Sequence, residues 1–486
     1  MSESKLKKQI VSGMVWKFAE RFVAQGVSFI VSLVLARILM PEDYGAVAII
    51  NVFIVIADVF LTSGLNTALI QAKDVDETDF STIFWCNFGL GWLLYMVLFI
   101  AAPFIAQIYS IPILTAAIRV FALRLPVSSF QSIQTAYVSR RMEFKKFFFA
   151  TITGTLVSAI VGIAMALNGF GVWALIAQYM TNTIIDTLFL FTLVRWIPKF
   201  VFSIDAARPL IKYGSKVLLT DLIGTLCNNL GDFIIGIKYT SAHLAYYTKG
   251  KQLPSLLKQN IYTSVISVLF PGMSKVGDQN EKVKQISRKS IQMLTYILYP
   301  MMFGMIVVAE PLTLALYTEK WIAMVPFVRI ICLEVLLSVP GTIALQSLKS
   351  IGRSDLMLKA EFVRKPILLI SIILALRFGV MAIALTLPLN AFIDIIINSY
   401  LTKKTIKYSL FEQIKDCSAA FFMSTIMGLV VYCIGLINLN VYLLLFLQVI
   451  AGGVIYIVLS VWTKNASFDV LKRMTYRCHF DLPDSE

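Results

Sequence analysis

The sequence predicts an all-α polytopic membrane protein of about fourteen transmembrane helices; its division into two six-helix lobes around a central cavity plus two C-terminal helices rests on the internal match and polar stripes described below. Three observations predict the fold class. The 486 residues are 58% hydrophobic and only 15% charged, with a mean hydropathy of +0.79, where a soluble chain carries about 25% charge. Apolar windows of about 20 residues, the length that crosses roughly 30 Å of hydrocarbon, recur from one end to the other. The basic residues between those windows alternate between rich and sparse connections.

The first window, 12–38, follows the basic run SKLKKQIVSG and resembles a signal peptide at its start. Lys17, Glu20 and Arg21 break its apolar run, and it has no small-residue cleavage site, so it reads as a retained span. Within Met14–Leu39, the residues Lys17, Arg21, Gln25, Ser28 and Ser32 recur every three or four positions. At 3.6 residues per turn they form one polar stripe on a greasy helix. Charges at such depth cost on the order of 2.5–3.5 kcal/mol each, so the stripe is expected to face water or a polar ligand inside a bundle.

The windows that follow are 44–67, 82–108, 113–137, 146–168, 170–194, 212–236, 244–270, 290–309, 323–347, 357–376, 379–401, 415–436 and 441–463. Taking the N-terminus and every second connection as one side collects nearly all the loop lysines and arginines. The other side holds only Arg37, Lys238, Lys320 and Arg377. The positive-inside rule then places both termini in the cytoplasm. The formal charge of +15 is thereby accounted for by topology, and no nucleic-acid partner is expected. External connections are short, and no loop is long enough for an enzyme domain. Gly13 with Gly214, Glu20 with Asp221, and Arg37 with Lys238 match at a constant offset. Either this is chance between apolar segments or helices one and seven start equivalent halves, a known transporter plan. The second option divides the chain into 1–202, 203–404 and an appended 405–486.

Two more helices carry polar stripes. The eighth has Lys251, Ser255, Lys258 and Tyr262, with Lys249 and Gln259 beside them. The seventh has Asp221, Thr225, Asn228 and Asp232. Cations therefore outnumber acids on these faces, which suits an anionic ligand, and phosphate oxygens are natural partners of Arg and Lys. The alternative is interhelical ion pairing, with Glu20 answering Lys17 or Arg21, and Asp221 or Asp232 answering a lysine. Arg119 and Arg124 lie five apart and face different sides; Arg124 is taken as the cavity-facing one. Asp58, Asp186 and Asp394 are single acids in apolar helices, each open to a proton or cation role or to local pairing. Asp74-Val75-Asp76 forms a DxD in a short loop with no surrounding α/β domain, so Asp79 or Ser81 is read as a helix cap instead.

Enzyme signatures are missing. There is no GxxxxGK[ST], and no Ser/His/Asp or Cys/His set can be assembled. His243 and His479 are the only histidines, and the six cysteines form no CxxC pair. No cofactor, metal or catalytic residue is expected.

Several stretches resemble the Wzx-type polysaccharide flippases of the MOP superfamily, in particular the colanic-acid-exporter-like branch. They are Ala36-Arg37-Ile38-Leu39 with Pro41-Glu42-Asp43-Tyr44-Gly45, then Gln71 to Trp85 (QAKDVDETDFSTIFW), then Tyr246-Tyr247-Thr248-Lys249 with Pro254. Phe270-Pro271, Pro300, Ala309-Glu310-Pro311, Glu319-Lys320-Trp321 and Ser350-Ile351-Gly352-Arg353 continue the match in order. The resemblance implies a flippase in the bacterial inner membrane, carrying an undecaprenyl-diphosphate-linked oligosaccharide from the cytoplasmic to the outer leaflet for cell-surface polysaccharide synthesis, by alternating access. It implies that basic residues of the first and eighth helices line the cavity, here Lys17, Arg21, Lys251 and Lys258, with Arg124 added from the fourth. Glu20, Asp221 and Asp232 would be coupling acids or ion-pair partners. The lipid tail would stay in membrane lipid, and a polysaccharide polymerase and chain-length regulator would be neighbours in assembly. Related lipid-II flippases carry a base in the second helix, and this chain has none between Gly45 and Leu69. The competing readings are a cation-coupled drug antiporter of the same superfamily, a membrane polymerase or ligase, and a non-transporting component of an assembly complex.

Overall fold

The computed structural model describes residues 3–72, 75–469 and 472. Lys73, Asp74, Arg473, Arg477, Cys478 and His479 lie outside them. Among the described residues there are 14 long helices. They are α1 (Glu3–Ile38), α2 (Pro41–Gln71), α3 (Glu77–Ile108), α4 (Ile113–Arg141), α5 (Phe144–Leu167), α6 (Val172–Val194) and α7 (Ile204–Lys238), followed by α8 (Ser241–Ser274), α9 (Asn280–Leu316), α10 (Glu319–Ser350), α11 (Ser354–Ala375), α12 (Val380–Ile406), α13 (Leu410–Gly435) and α14 (Val441–Trp462). All fourteen expected spans fall on these helices in order. Of the fourteen, 12 are long and apolar enough to cross a membrane by composition. The two that are not, α8 and α11, carry Lys249, Lys251 and Lys258, and Lys359, Glu361, Arg364 and Lys365.

The chain falls into two compact units, residues 1–245 and 246–486. In the first, α1 packs on α5, α5 on α6, α4 on α3 and α6, and α7 on α2. The expected lobe boundary at 202/203 falls inside this unit. The reason is a close crossing: a Cβ on Gly64 of α2 would come within 2.7 Å of the Gly214 carbonyl oxygen of α7. Two glycines let the backbones touch, as small residues do in membrane helix pairs.

Helix breaks are answered locally. At Ser63 α2 loses its regular ladder, and the Leu61 carbonyl accepts instead from Asn87 Nδ2 (3.2 Å) and Ser132 Oγ (2.8 Å), both buried. A bare carbonyl there would have no water to turn to. The N-terminus of α3 is capped by Asp76, whose carboxylate accepts from Asp79 N at 2.8 Å while Asp79 returns the bond to Asp76 N. The cap is therefore Asp76 rather than Asp79 or Ser81. Asp79 closes the capping box, and Ser81 Oγ accepts from Lys199 N in the 195–203 connection. Trp196 of that connection is buried among Phe80, Phe84 and Tyr137.

In the second unit α9 is the hub, packing on α10, α13 and α14, while α10 packs on α12. Tyr296, Met423, Met427, Val431 and Tyr456 form the seam of α9 with the last two helices. Tyr296 donates to Ser460 Oγ at 2.8 Å and Tyr456 donates back to the Tyr296 carbonyl at 2.9 Å.

Candidate functional site

Of the expected stripe of α1, Lys17 lies against α5. Trp16 meets Phe148 edge-on with centroids 5.1 Å apart, and the Lys17 ammonium lies 4.9 Å from the centre of the Phe147 ring. Lys17 Nζ is 2.6 Å from Glu20 Oε2, one helical turn on. Lys17 is half exposed, whereas Glu20 is largely covered (52% and 13%). The other Glu20 oxygen accepts from Thr151 Oγ1 of α5 at 3.5 Å. Arg21 is exposed. The structure thus pairs Lys17 with Glu20 and leaves Arg21 exposed beside them in sequence.

Arg124 begins the inner segment of α4, after a break at Leu123. Its guanidinium lies 3.2 Å from the Asp58 carboxylate of α2. Asp58 Oδ1 and Arg124 Nε are both buried without a hydrogen-bond partner. Arg119 turns the other way, donating to the Phe99 carbonyl at 3.3 Å and lying over its ring. Asp221 is exposed and Asp232 half-buried on α7, where Asn229 spends its amide on the Thr225 carbonyl at 2.8 Å.

In the second unit, Lys251 lies over the Tyr247 ring at 4.5 Å, and Lys249 donates to Gln252 at 3.3 Å. Lys258 Nζ is 2.7 Å from Glu334 Oε1 of α10, and one turn further Tyr262 shares a hydrogen bond of 3.2 Å with Ser338 of the same helix. Glu334 is a group the sequence reading passed over. It is a lone acid in IICLEVLLSV, and that isolation was the available signal. Also passed over was Arg364 of α11, which bonds Glu361 (2.9 Å), Asp394 of α12 (3.0 Å) and Asn398.

Chemically, three of the five expected phosphate-binding bases have a carboxylate at hand: Lys17 with Glu20, Arg124 with Asp58, and Lys258 with Glu334. Each carboxylate holds its cation at lower cost than a bare charge in an apolar setting, and an incoming polyanion can take its place. Charge-assisted bonds to phosphate are among the strong ones.

Residues 34–326 match the model of a family described as polysaccharide biosynthesis protein. The chain is 25% identical over 346 residues to the succinoglycan biosynthesis transport protein ExoT of Rhizobium meliloti (strain 1021), covering 71% of this chain and 70% of that one. It is 22% identical over 440 residues to the lipopolysaccharide biosynthesis protein WzxC of Escherichia coli (strain K12), covering 89% of each. Among solved structures it resembles the lipid II flippase MurJ in its inward closed conformation. The TM-score is 0.76 at 16% identity, covering 93% of this chain and 99% of that one. The fold is thus that of a multi-pass membrane protein of the MurJ kind. With the family match running over more than half its length, the chain belongs to the polysaccharide biosynthesis protein family.

Proposed function

We propose that this protein is a flippase for undecaprenyl-diphosphate-linked oligosaccharide, moving the headgroup from the cytoplasmic to the outer leaflet by alternating access. The observation that carries the reading is the set of bases Lys17, Arg21, Lys251 and Lys258 on two long helices, α1 and α8, in a chain of this family. We assign these cations to the diphosphate, with Arg124 in support. In this reading Glu20 and Glu334 hold Lys17 and Lys258 until phosphate oxygens displace them. Sugars meet polar and aromatic side chains, and the prenyl tail stays in membrane lipid. The protein sits in the bacterial plasma membrane with both termini cytoplasmic, acts as a transporter rather than an enzyme, and works beside a polymerase and chain-length regulator. The mechanical division we adopt is 1–202 and 203–404, with 405–486 appended.

The experiment is a deletion strain complemented with wild-type protein or with the Arg21→Gln, Lys251→Gln double variant. Deletion is expected to accumulate lipid-linked oligosaccharide in the inner leaflet. The double variant is expected to lower export more than about tenfold at normal protein level, the loss of about 1.4 kcal/mol or more of phosphate contact. Export at the normal rate by the double variant sinks the cationic-site assignment.

A further inference from the structure

The turn from α3 to α4 in the first unit and the turn from α9 to α10 in the second are built from the same parts. The chain leaves α3 as PFIAQIYS, from Pro103 to Ser110, and leaves α9 as PLTLALYT, from Pro311 to Thr318. Each has a proline inside the helix and, six residues on, a buried tyrosine whose hydroxyl has no hydrogen-bond partner. The next residue turns the chain through positive φ, 55° at Ser110 and 90° at Thr318. An arginine of the following helix then reaches back. Arg119 of α4 donates Nε to the Phe99 carbonyl of α3 at 3.3 Å, and Arg329 of α10 donates Nε to the Ile306 carbonyl of α9 at 3.2 Å.

The proline explains the first of these bonds. Pro103 has no N–H for the carbonyl four residues back, which is Phe99, and a bare carbonyl at membrane depth is costly. Arg119 supplies the missing donor. Arg329 bonds the carbonyl beside that of Val307, the one Pro311 leaves open. Each bond uses one of the five N–H donors of a guanidinium. The terminal nitrogens of Arg119 and Arg329 have no hydrogen-bond or ion-pair partner among the described residues. The nearby carboxylate of Asp58 is taken by Arg124.

The surroundings are apolar and exposed: Met96, Phe99 and Ile100 on α3 and Val120 on α4 in the first unit, and Leu333, one turn along α10 from Arg329, in the second. The 32 residues of α3 span about 48 Å, against roughly 30 Å of hydrocarbon. A helix so long, centred in the bilayer, stands about 9 Å clear at each end. Phe99 is nine residues from Ile108 and Ile306 ten from Leu316, so each carbonyl lies only about 5 Å inside the boundary. Side chains lean toward the N-terminus of their own helix. For α4 and α10 that is the near boundary, so the free nitrogens rise toward the headgroups.

We propose that Arg119 and Arg329 are lipid-phosphate sites, one in each unit, each holding the phosphate of a membrane lipid whose chains lie on the apolar surface beside it. Nε ties the guanidinium to the proline-bent helix and fixes its plane. The terminal nitrogens form the flat fork that meets two phosphate oxygens. Each unit is thereby anchored to the leaflet at that turn. Naming this leaflet the outer one rests on the orientation in the flippase reading; the binding does not.

The test uses full-length protein in nanodiscs holding equal amounts of phosphatidylglycerol and a diacylglycerol with the same chains. A photo-crosslinking benzophenone side chain replaces Val120 or Leu333, and mass spectrometry counts the lipid adducts. The phosphate-bearing lipid is expected to be favoured about fivefold at both positions. Arg119→Gln is expected to bring the ratio at position 120 close to one, and Arg329→Gln the ratio at position 333. Excess inorganic phosphate is expected to leave the ratios unchanged. Arg119→Gln also takes a donor from the Phe99 carbonyl, so Pro103→Ala is added to return a backbone N–H there. The Pro103→Ala, Arg119→Gln protein is expected to melt as wild type does and still show no preference. Ratios that are alike with and without the arginines overturn the proposal. So does a preference that Pro103→Ala restores without the arginine, because Arg119 would then act on the helix alone. Loss of the preference on adding inorganic phosphate overturns the lipid as its source.

Discussion

Each unit buries an aspartate in contact with an arginine or an amide, and the two are finished differently. In the second unit Asp416 of α13 is fully answered. Arg288 donates to both oxygens at 2.9 Å, Gln292 to Oδ1 at 2.9 Å and the Tyr408 hydroxyl to Oδ2 at 2.8 Å. In the first unit Asp58 and Asp186 each keep one oxygen with no partner, and Arg124 keeps an unused Nε. A carboxylate with every lone-pair direction filled pins helices together. A carboxyl with an oxygen to spare in a dry interior ties its helix less firmly to its neighbours. The Asp416 cluster reads as a clasp between α9 and α13, and the first-unit groups as less completely bonded contacts.

The largest effect tests the clasp. Arg288→Ala strands a carboxylate that is 3% exposed. The expected cost is about 2 kcal/mol, below the 3–5 of a wholly buried pair because water reaches Arg288. A fall of about 2 °C in the melting midpoint in detergent follows for a chain of this length. Asp186→Asn, by contrast, is expected to melt as wild type does. Equal destabilisation by the two variants breaks the comparison.

Next comes the half-answered pair. Arg124→Gln leaves Asp58 without its cation and is expected to cost about 1–2 kcal/mol. Adding Asp58→Asn should recover most of it, giving a coupling energy near 1 kcal/mol in a double-mutant cycle. Additive losses would mean that the 3.2 Å contact carries no energy.

The smallest effect is on α1. Lys17→Gln removes an i,i+3 pair whose lysine is half exposed, and the stability should change by no more than about 0.5 kcal/mol. Its consequence belongs to transport. A large stability loss would recast Lys17 as a packing residue.

Much of this was legible from residue order. All fourteen helices were readable, twelve of them because a run of about 20 apolar residues must be kept from water whatever its neighbours do. The polar stripe of α1 was readable because helical spacing fixes which residues share a face, and the Lys17–Glu20 contact is of the same kind, three residues apart. The cap of α3, expected at Asp79 or Ser81, lies three or five residues earlier at Asp76, because three carboxylates crowd Asp76–Asp79 and only backbone geometry selects one. Glu334 went unseen because a lone acid advertises cost and not its partner, which lies 76 residues away on α8.

The division of labour is therefore physical. The sequence by itself determined what local periodicity and solvent preference control: span number, the polar faces of α1, α7 and α8, and the charge asymmetry of the loops. Only the tertiary structure decided which charges meet. It paired Arg124 with Asp58 and Lys258 with Glu334, brought Gly64 onto Gly214 so that α7 joins the first unit, and set Asp186 against Gly154 with one oxygen unanswered. Those pairings depend on helix rotation and depth in a packed bundle, which hydropathy and spacing leave undetermined.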